Sequence, residues 1–159
     1  MTKRTNVPTP SRKAASKKSA NDPVIQDWES MFVIAEHWKS DLDYFLDELN
    51  FFRKLVDKYF ISLIDEKHIN STRHLAGGLA EFDKKRIEID NTLKTHLAQL
   101  TNLIQNPFAQ ESQVSTELHN KLEGSMSDFV KNFKSLKKEV FMLAENVMES
   151  EKAKHLLGS

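Results

Sequence analysis

Residues 28–60 read WESMFVIAEHWKSDLDYFLDELNFFRKLVDKYF, and the spacing inside this stretch decides the fold. It carries nine of the chain's fourteen aromatic residues. Trp28, Ala35, Leu42, Leu49, Val56 and Leu63 recur every seven residues, and Met31, Trp38, Phe45, Phe52 and Tyr59 form a second such series. Two interleaved seven-residue series make the 3-4 spacing of an amphipathic helix. No Pro or Gly interrupts them. The spacing predicts one helix from about 23 to about 66, roughly 65 Å long at ~1.5 Å per residue. Asp22-Pro23 is a suitable start, because Asp accepts from free first-turn amides and Pro at the first position gives up no useful donor. Phe32, Leu46 and Phe60 widen the apolar stripe on one side, and Ile34 and Leu55 on the other. A stripe of that width suits a helix with two neighbours better than a two-stranded coiled coil.

Working outward, the same period returns twice. Leu75, Leu79, Phe82, Arg86, Ile89, Leu93, His96, Leu100 and Leu103 predict a helix over 71–105, capped by Asn70 or Ser71 and stopped by Asn106-Pro107. Leu122, Met126, Phe129, Phe133, Leu136, Val140, Leu143 and Val147 predict another over 112–154. Short connections between long helices favour antiparallel neighbours. The expected fold is all-α: an elongated, coiled-coil-like, antiparallel three-helix bundle over 23–159, preceded by a disordered basic tail over 1–22. In outline this resembles spectrin-type repeats, a likeness that rests on the heptads alone.

The composition agrees. Among 159 residues there are four Gly and four Pro, with 39% hydrophobic and 29% charged residues. There is no cysteine, which removes disulfides and thiolate chemistry. No run approaches 18 apolar residues, so no membrane span is expected. The basic N-terminus has no apolar segment behind it, so it does not read as a secretory signal, and the expected location is cytoplasmic.

A formal net charge of zero conceals a division. Residues 1–22 hold six Lys or Arg (Lys3, Arg4, Arg12, Lys13, Lys17, Lys18) against one Asp, a net of +5. The rest holds 17 basic against 22 acidic residues, a net of −5. The tail lacks large apolar residues apart from Val7 and cannot offset its ordering entropy. Its charges would give weak, salt-sensitive, sequence-blind contact with nucleic acid or an anionic surface, without an aromatic to stack on bases.

Two aromatics of the opening stretch lie off the seam. Tyr44 and Phe51 are seven residues apart and share a line with His37 and Lys58. Either a twisting bundle sweeps them inside, or they form an apolar strip for another protein or a second copy of the chain. On the second reading, Asp43, Asp47 and Glu48 steer the partner.

Other polar features have structural readings. Arg86 and His96 occupy seam positions, and a hairpin turning near His68 sets them opposite Glu48 or Asn50 and Asp41 or Asp43, as register-fixing pairs. Gly77-Gly78 falls opposite Tyr59 and Phe60, where small residues admit bulky rings. Asn106-Pro107-Phe108 matches a short trafficking-type peptide motif but sits where a helix must stop. The six histidines include no Glu-x-x-His and no i, i+4 pair, so neither a di-iron bundle nor another metal site is expected. No catalytic constellation stands out, and no cofactor is expected. The sequence therefore points to a non-catalytic interaction or scaffold protein working through helix faces and expected to self-associate; tail-driven binding to nucleic acid or an anionic surface is the alternative, and a small-ligand or metal-sensing bundle lined by Arg86 and His96 comes third.

Overall fold

A computed structural model describes residues 23–62, 66–109 and 112–158; within these, the side chains of 59–62 and 66–68 are outside the description. The tail residues Lys3, Arg4, Arg12, Lys13, Lys17 and Lys18, and the side chains of Tyr59, Phe60 and Leu63, therefore lie outside the described residues. Three helices account for nearly everything else: α1 Pro23–Ser62, α2 Glu66–Gln105 and α3 Ser112–Leu156. No strand occurs among the described residues.

The heptads explain this arrangement. Ala35, Leu42, Leu49, Phe52 and Val56 of α1 are buried, and so are Leu75, Leu79, Ile89, Leu93, Leu100 and Leu103 of α2. The α3 seam from Leu122 to Val147 is buried throughout. Packing is up-down-up. Arg53 reaches Asp83 and Trp28 reaches Pro107, so partner numbers rise along α2 as they fall along α1. Ser115 and Gln99 at one end, and Leu136 and Gly78 at the other, set α3 antiparallel to α2. Contacts of Trp38 with His119 and of Phe52 with Phe141 run in step, so α1 and α3 are parallel.

The first turn differs in detail from expectation. α1 ends at Ser62 and α2 begins at Glu66, with Asn70 and Ser71 already helical. The seam extends backwards because Thr72, three residues before Leu75 and seven before Leu79, is fully buried. At the second turn, Pro107 is buried while Phe108 is exposed, so the Asn-Pro-Phe tripeptide is partly consumed by the fold. The Trp28 indole N–H donates to the Pro107 carbonyl at 3.3 Å, tying the start of α1 to the α2–α3 loop.

An aromatic column fills the middle of the bundle. Phe45 lies 5.3 Å from Phe129 and 4.6 Å from Phe133 by ring centroid, Phe82 lies 4.5 Å from Phe129, and Phe52 stacks on Phe133 at 5.8 Å. These rings join α1 to α3, and Phe82 brings α2 into the same cluster. Between α1 and α3 runs the surface groove of a packed helix pair, which opens into a cavity beside Trp28, Met31, Ile34 and His119. A Cβ at Gly78 would meet Leu136 of α3 at 3.5 Å, while the rings expected to face the glycines, Tyr59 and Phe60, have side chains outside the described residues.

Candidate interaction face

Heptad geometry assigns each exposed residue of α1 to a shoulder. At about 100° per residue, Tyr44 and Phe51 share one line, and Ile34, Asp41, Glu48 and Leu55 form the adjacent line nearer α3. Tyr44 is 55% exposed and Phe51 54%, which settles their position: they are outside the core. Glu48 carries the link to α3 through an ion pair with Lys137 at 3.8 Å. Asp47 is exposed on the crest beside the strip. Asp43 is exposed too, but the helical turn carries it to the opposite shoulder, towards α2. Of the three acidic residues expected to steer a partner, Glu48 and Asp47 thus flank the strip and Asp43 does not.

The structure adds a second wall that the sequence reading missed. Lys137 and Phe141 of α3 lie along the groove, with the Lys137 ammonium 6.0 Å from the centroid of the Phe141 ring. Phe141 packs edge-on to Phe52 at 6.0 Å, yet remains 44% exposed. Met148, seven residues on, is exposed along the same line of α3. The available signal was the heptad numbering of α3, which sets Phe141 and Met148 one position past the seam residues Val140 and Val147. Towards the other end the groove deepens into a cavity of about 440 Å³ that reaches Trp28, Met31, Ile34 and His119.

Electrostatics tie the strip together. The carboxylate of Glu48 raises the Tyr44 phenol above its ordinary pKa, by its charge first and by accepting the phenol's hydrogen bond second. Tyr44 therefore stays a neutral donor, with an apolar face free for contact.

A second polar feature lies wholly inside. His96 of α2 and His119 of α3 are buried and meet at 2.9 Å, Nε2 to Nδ1, and Trp38 of α1 lies against His119 with centroids 4.8 Å apart. This corrects the expected pairing of His96 with Asp41 or Asp43: the seam turns His96 inward, and the polar group it meets there is His119 of α3. His96 Nδ1 is buried without a partner. A buried bare lone pair costs less than a buried unpaired N–H, so we assign the proton to His96 Nε2, donating to His119 Nδ1. Burial, then the neighbouring His119, lowers the His96 pKa to about 4. Burial also lowers that of His119, against an opposing pull from Glu123. Arg86 likewise departs from its expected partners, Glu48 or Asn50. It turns along its own helix to Asp83 at 2.9 Å, and Asp83 also takes Arg53 at 3.2 Å.

Another open cavity, of about 440 Å³ between α2 and α3, is lined by residues that include His74, Glu139, Met142 and Asn146. Among the described residues no group of three His, Asp or Glu side chains is placed to hold a metal ion, and no helix is long and apolar enough to cross a membrane. No family model matches the chain, and neither does any curated protein or solved structure.

Proposed function

We propose that this chain is a non-catalytic interaction protein that works through the α1/α3 face and associates with itself, in the cytoplasm. The observation that carries the reading is the exposure of Tyr44 and Phe51 on α1, with Phe141 and Met148 exposed on α3. Rings left in water in a row on a helix pair are what an interface buries and what a free monomer avoids. The lining supports recognition rather than chemistry, since it consists of aromatic and aliphatic side chains flanked by acidic residues on α1 and lysines on α3. Helix-in-groove contact reads such a surface through anchors at i, i+3, i+4 and i+7.

The test replaces both rings in the full chain, as Tyr44→Ser/Phe51→Ser. Sedimentation velocity should show weakened self-association, while circular dichroism shows unchanged helicity because neither ring is in the core. Unaltered association in this variant refutes the reading.

The charge division of the sequence favours one alternative, in which the basic tail grips nucleic acid or an anionic surface. Such binding would fall steeply with salt and vanish when residues 1–22 are deleted. Binding to DNA that survives that deletion, or that ignores salt, removes this alternative.

A further inference from the structure

We propose that the α1/α3 groove is occupied by a second copy of this chain, in a parallel two-fold pairing that lays α1 of each protomer on α3 of the other. This rests on the self-association reading and adds its geometry. Residues 41–48 of α1 read DLDYFLDE, with no basic residue and with Asp41, Asp47 and Glu48 on or beside the strip. Residues 131–138 of α3 read KNFKSLKK, with four lysines and no acidic residue. The contacts of Phe45 with Phe129 and Phe133, and of Glu48 with Lys137, set these two segments level on either side of the groove. Within one chain the groove is bridged by the single Glu48–Lys137 pair among the described residues. Asp41, Asp47, Lys131, Lys134 and Lys138 remain exposed.

Two face-to-face pairings satisfy two-fold symmetry. A two-fold axis across the helices lays α1 on α1 and α3 on α3, acid against acid and lysine against lysine. A two-fold axis along the helices lays each acidic segment on the partner's basic segment at the same level. Like-charge juxtaposition costs several kcal/mol, so charge alone rejects the first and selects the second. The same operation brings Tyr44 and Phe51 over the partner's Lys134–Phe141 stretch, and Leu55 over its Phe141–Met148 stretch. The size suffices. From Ser30 to Lys58 α1 spans about 42 Å, and two helices side by side are about 20 Å wide, giving about 800 Å² per protomer, the area of a standard stable interface.

Charge reversal on the full chain tests the arrangement by sedimentation equilibrium at low and physiological salt, with circular dichroism as the folding control. Asp47 and Lys134 suit the test, because neither takes part in an ion pair among the described residues. Asp47→Lys alone and Lys134→Glu alone should each raise the dimer dissociation constant by about tenfold or more, since each creates two like-charge contacts per dimer. The combined variant Asp47→Lys/Lys134→Glu should return to within about threefold of the unaltered chain, because the pairing is rebuilt with its signs exchanged. Combined losses that add or exceed the single ones overturn the parallel pairing. The self-association reading survives that result if Tyr44→Ser/Phe51→Ser still dissociates the dimer, and falls with it if that variant associates normally. An unaltered chain that is monomeric up to about 100 μM, well above the micromolar range expected of such an interface, overturns the proposal outright.

Discussion

Acid should unfold this bundle earlier than its surface charges alone would require, and the reason is the His96–His119 pair. Both rings are neutral in the folded chain and share one N–H···N hydrogen bond. Protonating His96 puts a charge into the core and creates an N–H at Nδ1 that has no acceptor. In the unfolded chain the same ring titrates near 6.5. A folded value of about 4 means that the unfolded state binds more protons between those limits, so stability is full above pH ~6.5 and falls as pH drops towards 4. At 1.36 kcal/mol per unit, His96 alone accounts for about 3 kcal/mol, and His119 adds to it in the same direction. From α1 the pair meets the uncharged ring of Trp38, and Glu123 on α3 is the carboxylate that favours a charged His119. The assay is urea denaturation followed by circular dichroism between pH 7.5 and 4.5, for the unaltered chain and for His96→Leu/His119→Leu. Leucine approximates the ring volume, and carboxylate titration is common to both proteins. The unaltered chain should lose about 2–3 kcal/mol more than the variant over this range. Parallel stability profiles for the two would refute the account, because they would mean that the buried rings titrate as they do in the unfolded chain.

Two further expectations concern the packing. Gly77→Ala and Gly124→Ala should each stabilise the bundle by about 0.8–1 kcal/mol in denaturant titrations, since both lie inside helices and a Cβ at either meets nothing within 4 Å. A loss at either position would show that the helix needs its glycine for a reason other than space. Phe52→Ala should cost about 3–5 kcal/mol, because the ring is fully buried and touches both Phe133 and Phe141; a cost below 1 kcal/mol would show that the aromatic column collapses around the gap.

How far the sequence reached depends on which physical quantity each feature needs. The seams were legible because burial along a helix repeats with the helix. Trp28, Ala35, Leu42, Leu49 and Val56 needed no knowledge of any other segment to be assigned to the core. Register was legible too, since a connection of few residues between α1 and α2 limits which levels can meet, as Arg53 and Asp83 show. Partner choice was not. Arg86 stood at the expected level and turned to Asp83 on its own helix, and His96 stood on the seam but met His119, a residue 23 positions away on α3. A histidine pair formed between helices leaves no i, i+4 trace, and only the angular placement of three helices around one axis brings the rings together. The strip was legible as a question and not as an answer, because the exposure of Tyr44 and Phe51 depends on how far α1 and α3 stand apart. Between those helices Phe45 meets Phe129 and Phe133, and Phe52 meets Phe133. A smaller residue at Phe52 or Phe133 should therefore destabilise the fold, and any movement of α1 towards α3 that offsets the loss should lower the exposure of Tyr44 and Phe51.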